Sequence, residues 1–183
     1  MENMSGTSKQ IEHGNPIVSD WVKKYTVLIP SNTLVLDLAC GSGRNTRFLL
    51  DRGYSVVALD KDTSQLADIS NKQNLRKYKF DLEAGIKFPF HRQEFSGVIV
   101  TNYLYRPLFE NLINSLSDGG VLIYQTFMVG NEAYGRPRNP KFLLKRNELS
   151  DVFDKKLDVI AFEQGYTESP KPAVIQSICA VNC

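Results

Sequence analysis

The sequence predicts an α/β fold, a Rossmann-like three-layer sandwich with helices on both faces of a seven-stranded, mostly parallel sheet. Three observations carry that reading. Residues 33–60, TLVLDLACGSGRNTRFLLDRGYSVVALD, run as an apolar stretch of strand length, a glycine turn, a helix-like segment and a second apolar stretch. Further short apolar runs then alternate with amphipathic segments, the pattern of repeated βαβ units. The last two runs are joined directly by residues 164–172, QGYTESPKP, which leaves room for a hairpin and no helical crossover, so that pair is antiparallel.

Taken in order, residues 1–14 are polar, contain Gly6 and Gly14, and read as a mobile tail that includes His13; residues 15–183 form one domain. From Pro16, Ile17, Trp21, Tyr25 and Leu28 keep helical spacing until Pro30, predicting a helix over the sheet with Trp21 as a core anchor. Strand one follows, then a helix from Asn45 to Leu50, with Gly53 as its cap and a second strand ending in Asp60. Residues 63–71 predict a short helix with Leu66 and Ile69 inward, and residues 75–80 a third strand. Residues 83–93, which include Pro89 and His91, are irregular. The fourth strand is residues 97–101. A helix spans about 108–116, a Ser-Asp-Gly-Gly turn follows at 117–120, and the fifth strand is 121–127. After a loop at 128–140, a short helix at 147–153 starts on Asn147 as cap, and strands at 157–162 and 173–181 finish the chain.

Composition narrows the function. A chain of 183 residues with 42% hydrophobic content can bury one substantial core. Its net charge of +2 is no global field for nucleic acid. Three cysteines and two histidines, widely spaced, make neither a disulfide framework nor a zinc site, so no metal is expected. No segment approaches the roughly 20 apolar residues of a membrane span, and MENMSGTSKQ has no apolar signal core; the expected location is the cytoplasm.

The glycine turn carries the chemistry. Gly41 and Gly43 let backbone approach a ligand, and Asp60, closing the second strand, can accept hydrogen bonds from both hydroxyls of a ribose. A dinucleotide fingerprint needs a third glycine where this chain has Thr46, and Asp37 before the turn would repel a pyrophosphate while favouring a cationic sulfonium bearing an ammonium. A nicotinamide-dependent oxidoreductase is disfavoured on both grounds. In an open sheet the ligand crevice lies beyond the carboxyl ends of the strands, which places Asn102, Tyr103, Tyr105 and Arg106 along it, with Tyr134, Arg136 and Arg138 of the 128–140 loop as a substrate lid able to grip an anionic or planar acceptor. Lys141, Lys145 and Arg146 make this zone locally basic and keep an RNA acceptor in view.

These residues resemble a family. The class I S-adenosylmethionine-dependent methyltransferases carry D-x-G-x-G-x-G, met here by Asp37, Ala39, Gly41 and Gly43, with alanine in place of the first glycine. The wider run ACGSGRNTRFLLDRGYSVVALDKD is most similar to the small single-domain bacterial branch of the tellurite-resistance methyltransferases. The resemblance implies strand order 3-2-1-4-5-7-6 with the seventh antiparallel, and S-adenosylmethionine as cofactor with S-adenosylhomocysteine as product. It also implies a cofactor site of Asp37, Ala39, Cys40, Gly41, Ser42, Gly43, Arg44, Asp60, Lys61, Asp81, Leu82 and Thr101, Asp81 standing near the adenine. Amino-directed relatives carry [DN]-P-P-[YFW] where this chain has Asn102-Tyr103-Leu104-Tyr105, so an exocyclic amine is a weaker candidate than a small nucleophilic or anionic acceptor. A non-catalytic cofactor-binding module and an RNA-directed methyltransferase are the alternatives. Acceptor identity and oligomeric state are left open.

Overall fold

The computed structural model describes residues 17–183. The expected tail, with His13, and Pro16 lie outside the described residues; the helix expected to run from Pro16 to Pro30 starts only at Asp20, where Ser19 caps it, and gives way to a 3₁₀ turn at Thr26–Leu28.

Seven strands form one sheet in the order β3-β2-β1-β4-β5-β7-β6. They are β1 (Leu34–Leu38), β2 (Ser55–Asp60), β3 (Leu75–Lys79), β4 (Phe95–Thr101), β5 (Leu116–Phe127), β6 (Asp158–Thr167) and β7 (Ala173–Val181). The first five pair in parallel, and β7 lies antiparallel to both β5 and β6. This is the expected order, and it puts the strand-order reversal between β1 and β4, where the glycine turn leaves β1.

Alternation along the strands builds the two outer layers. On one face Val35, Val56, Ile99, Val121, Ile123 and Cys179 pack beneath α1 (Asp20–Tyr25) and α2 (Arg44–Leu50), which contribute Trp21, Val22, Leu49 and Leu50. On the other face Leu36, Leu38, Val98, Val100, Leu122 and Tyr124 meet α3 (Phe109–Ser115) and α4 (Glu148–Phe153) through Leu112, Leu149 and Phe153. Each such side chain, taken fully out of water, contributes about 1.5–3 kcal/mol. Trp21 is a core anchor: it is buried, and its Nε1 donates to the Ile178 carbonyl at 3.2 Å.

Local chemistry sets the element ends. Ser19 caps α1, its Oγ accepting from Val22 N at 3.1 Å, with Asp20 in the first turn and Lys23 and Lys24 in the last, the charge order a helix dipole favours. Gly53, at φ +82°, lets its own amide reach Leu50 O while Tyr54 N reaches Leu49 O, so α2 stops in a Schellman-type turn.

Three expectations are corrected. Residues 64–69 form a 3₁₀ segment and not an α-helix, kinked at Leu66, whose buried side chain fixes the turn more strongly than helical periodicity does. Ser117–Gly120 is not a free turn: the strand opens at Leu116 opposite Phe95, and Gly119 N and Gly120 O pair with Asn182, so long-range pairing draws the turn sequence into β5 as an irregularity. Asn147 stands at the start of α4 but does not cap it; at φ +60° its amide donates to Gln164 Oε1 on β6 and its Oδ1 accepts from Gln164 Nε2.

Candidate functional site

The turn between β1 and α2 is coiled by three left-handed residues, Ala39 (φ +54°), Gly41 (+52°) and Gly43 (+78°). Alanine in the first position therefore leaves the loop shape intact, at the steric cost an L-residue bears there. Ala39→Gly is expected to stabilise the protein by about 0.5–1 kcal/mol, the relief of that strain less the entropy glycine loses on folding. Chemical denaturation measures it, and an unchanged or lower midpoint would contradict strain at Ala39.

Asp60 ties the turn to β2. Its Oδ2 accepts from Gly41 N at 2.9 Å and its Oδ1 from Asp62 N at 3.0 Å, leaving lone pairs on both oxygens for hydroxyl donors. Cys40 N donates to Leu59 O at 3.0 Å and Arg47 Nη1 to Ser42 O at 2.6 Å, so both ends of the turn are held. A Cβ added at Gly41 would meet nothing within 4 Å, whereas one at Gly43 would strike Leu66. Gly41 thus borders open space at the crevice, and Gly43 packs inward. An acid with spare acceptor capacity beside a glycine facing open space fits a ribose-bearing ligand lying over the turn.

Asp37 lies under this floor and is 1% exposed. Thr46 Oγ1 donates to its Oδ2 at 2.6 Å and Asn45 Nδ2 to its Oδ1 at 3.5 Å; Asn45 Nδ2 also reaches Thr101 Oγ1 at 3.0 Å, and Arg44 Nη2 reaches the same oxygen at 3.2 Å. Asp37 therefore acts from below, fixing the start of α2, and an ammonium above the turn meets its field and not its oxygens. Thr46, at the position of the absent third glycine, is one of its partners, so that departure from a dinucleotide fingerprint has a structural job. Asn45 Oδ1 is buried without a partner among the described residues.

Burial pushes the Asp37 carboxyl up from 3.8 to about 6, against the hydrogen bonds from Thr46 and Asn45 and the nearby Arg44 guanidinium. A folded-state value above the unfolded one means the folded protein holds this proton more tightly. The stabilisation is full below about pH 3.8 and is lost as pH rises to about 6, a fall on the order of 3 kcal/mol. Unfolding midpoints across that window are expected to drop with rising pH in wild type and to drop less in Asp37→Asn. Equal slopes in the two proteins would contradict the assignment.

The remaining cofactor-side candidates differ in accessibility. Lys61 is exposed, Leu82 is buried in the core, and Thr101 is buried at the end of β4. Asp81 is exposed, and its Oδ1 accepts from Glu83 N at 2.9 Å, so it closes a turn with one oxygen and keeps the other open.

On the acceptor side Asn102 leaves β4 at φ +57°, exposed, its amide donating to Gln125 O at 2.9 Å. A non-glycine residue in this conformation at a strand tip is a strained position of the kind found at binding sites. Asn102, Tyr103, Phe127 and Pro137 surround a hollow of about 220 Å³, which brings the strand tips and the 128–140 loop together as the sequence suggested. Glu83 lines it too, accepting from Tyr103 Oη at 3.2 Å; sequence reasoning missed this carboxylate because no motif marks it. Burial, with Glu83 beside it, pushes the Tyr103 hydroxyl above the usual phenol range. Tyr105 packs half-buried against the core.

Arg106 has other work. Its Nε and Nη2 pair with Glu148 at 2.6 and 2.9 Å, and its Nη1 and Nη2 donate to the carbonyls of Lys141 and Leu143 at 2.8 and 2.9 Å, so the guanidinium pins the base of the loop and is not free to grip an acceptor. Tyr134, Arg136 and Arg138 are exposed. Glu132 caps Gly130 N at 2.8 Å, and among the described residues neither Arg136 nor Arg138 forms an ion pair. Tyr134 packs at a tilt against Tyr166 of β6, ring centroids 5.1 Å apart. Among the described residues no group of three or more histidine, cysteine or acidic side chains could hold a metal, and no helix is long and apolar enough to cross a membrane.

Comparison with known proteins agrees with this fold. A family profile described as a methyltransferase domain matches residues 35–120. No curated protein matches the sequence. Among solved structures, TehB from Haemophilus influenzae is similar with a TM-score of 0.71 at 20% identity, over 94% of this chain and 64% of that one, so the chain spans just under two thirds of that protein's length. An S-adenosylmethionine-dependent methyltransferase from Mesorhizobium loti is similar with a TM-score of 0.70 at 15% identity, over 92% of this chain and 100% of that one. The 1,6-didemethyltoxoflavin-N1-methyltransferase of Burkholderia thailandensis, solved with 1,6-didemethyltoxoflavin and S-adenosylhomocysteine bound, is similar with a TM-score of 0.67 at 14% identity, over 88% of this chain and 76% of that one. At these identities the structures speak for the fold.

Proposed function

We propose that the chain is a class I S-adenosylmethionine-dependent methyltransferase, a reading its matched methyltransferase domain and its sheet order support, and that it methylates a small nucleophilic or anionic acceptor at the tips of β4 and β5. The observation that carries the reading is the Asp60 carboxylate, which holds Gly41 N at 2.9 Å beside open space and keeps lone pairs for a ribose. Ala39, Cys40, Gly41, Ser42 and Gly43 form the floor. Asp37 sets its charge from below, and Arg44, held at Thr101, stands at its edge as the guanidinium for a carboxylate. Lys61, Asp81 and Leu82 border the base-binding end.

Bound S-adenosylmethionine supplies a methyl group already activated on a sulfonium. The protein therefore has two tasks, to align the acceptor and to exclude water from it. Asn102, Tyr103 and Tyr105 form the wall at the strand tips, and Tyr134, Arg136 and Arg138 the facing loop, with Arg106 fastening that loop to α4 and α3. A soft anion arrives nucleophilic and needs no base. For an acceptor that must lose a proton, Glu83 is a carboxylate on the wall of the same hollow. That the Burkholderia neighbour is a 1,6-didemethyltoxoflavin-N1-methyltransferase supports a small-molecule acceptor over RNA. We place the enzyme in the cytoplasm, with residues 15–183 as one domain.

The test is acceptor-dependent formation of S-adenosylhomocysteine across a panel of thiols, small anions and neutral ring compounds. Product that appears with a panel member and is lost in Asp60→Ala supports the reading. Product that appears only with RNA, and falls steeply with salt, would replace it with the RNA-directed alternative.

A further inference from the structure

The hollow at the tips of β4 and β5 carries a single charge. Its volume of about 220 Å³ lies below the roughly 300–1,000 Å³ of pockets that take drug-sized ligands, so its occupant is small. Leu104, Phe127, Pro137 and Phe142 make most of the wall apolar, and the Glu83 carboxylate is the one charged group of the lining among the described residues. Phe142 is 46% exposed, a large ring left on the surface at the rim. It is held there: its amide donates to Asn139 O at 2.9 Å, and the carbonyls on either side of it, of Lys141 and Leu143, are fastened to Arg106.

Glu83 is fixed through both its backbone and its side chain. Its amide donates to Asp81 Oδ1 at 2.9 Å, and its Oε1 accepts from Tyr103 Oη at 3.2 Å. The Tyr103 carbonyl in turn accepts from Tyr124 Oη at 2.9 Å, and Tyr124 is buried against the rings of Phe109 and Phe153. The carboxylate is therefore tied to the core through Tyr103. Burial, with Glu83 and Asp81 beside it, holds the Tyr103 hydroxyl above the usual phenol range, so Tyr103 stays the donor of the pair. Glu83 Oε2 accepts nothing from the described residues, and among them Glu83 forms no ion pair.

The nearby cations are turned to other work or stand outside. Arg106 is committed to Glu148 and two carbonyls, and Arg136 and Arg138 are exposed on the loop and absent from the lining. An anion in the hollow would meet Glu83 with no guanidinium in the wall to balance it, whereas a neutral hydrogen-bond donor finds Oε2 open.

We propose that Glu83 selects the methyl acceptor, a small uncharged molecule with an apolar body against Phe127, Pro137 and Phe142 and one hydroxyl or amine hydrogen donated to Glu83 Oε2. The inference rests on the methyltransferase reading for the use of the hollow, and it narrows the acceptor from the nucleophilic or anionic class to a neutral hydroxyl or amine.

The full chain, saturated with S-adenosylhomocysteine as followed by calorimetry, is titrated with phenol, aniline, toluene and benzoate, and binding is read from the broadening of each probe's proton NMR signals. Saturable binding of phenol and aniline is expected, about fivefold tighter than that of toluene, which has no donor, and of benzoate, which is an anion. Binding of only one of the two donors supports the inference and assigns the acceptor as a hydroxyl or as an amine. In Glu83→Gln the donors are expected to weaken about fivefold while benzoate gains, opposite shifts that a change in packing alone would not produce. Phe142→Ala, whose exposed ring can be removed without touching the core, is expected to weaken phenol, aniline and toluene together. Benzoate bound as tightly as the donors in wild type, donor affinity unchanged in Glu83→Gln, or no saturable binding of any probe would overturn the inference, while calorimetric binding of S-adenosylhomocysteine leaves the cofactor reading standing. Failure of S-adenosylhomocysteine itself to bind would instead remove the reading on which the inference rests.

Discussion

Gly43→Ala is expected to destabilise the protein by about 2–4 kcal/mol, the sum of overpacking and left-handed strain at a residue with φ +78°. The added methyl would stand 2.1 Å from Leu66 Cδ2 and 2.8 Å from Arg47 Nη1. Neither can retreat cheaply, since Leu66 is fully buried and Arg47 is tied to Ser42 O and to Asp68 at 2.6 Å. Gly41→Ala provides the contrast: with nothing within 4 Å of its Cβ it bears only the strain of φ +52°, about 1–2 kcal/mol, yet its methyl enters the space over the turn. Urea unfolding should therefore single out Gly43→Ala, and titration with S-adenosylhomocysteine should single out Gly41→Ala as folded but weakened in binding. A Gly43→Ala protein as stable as wild type would contradict the packing assigned to the start of α2.

Asp60→Ala carries the largest expected loss of binding. The carboxylate orders the turn through Gly41 N and Asp62 N and offers its remaining lone pairs to the ligand, so its removal takes away charge-assisted hydrogen bonds on both sides. At about 1.5–3 kcal/mol each, two such bonds to a ribose are equivalent to at least a hundredfold in affinity. Asp60→Asn keeps one carbonyl oxygen and should lose less. Equal affinity for S-adenosylhomocysteine in wild type and Asp60→Ala would show that the ribose is held elsewhere.

What the sequence shows plainly is what short-range physics determines. The apolar runs, the glycine turn, Gly53 as the stop of α2, the acid ending β2 and the C-terminal hairpin all express their meaning within a few residues, whereas the sheet order comes from the family resemblance. The rest depends on partners far along the chain. Arg106 looks like a crevice arginine until Glu148, 42 residues on, takes its guanidinium. Asn147 looks like a cap until Gln164 on β6 draws its side chain away. Ser117–Gly120 has the composition of a turn, but Asn182 supplies a strand-like partner. The Glu83–Tyr103 pair joins residues 20 apart, and no motif around either of them announces it. Asn45 and Thr46, which hold Asp37, sit inside the most legible stretch of all and are missed because family motifs count glycines and acids, not the side chains that orient them.

The Ala39–Gly43 turn with Asp60 has the features of an S-adenosylmethionine site and not of a dinucleotide site. Calorimetric titration of wild type and Asp60→Ala with S-adenosylmethionine, S-adenosylhomocysteine and NADH decides between the two. Saturable binding of the first two to wild type, weakened at least a hundredfold in the variant, with no binding of NADH, is the predicted result. Binding of NADH alone would contradict it and return the glycine turn to the dinucleotide class.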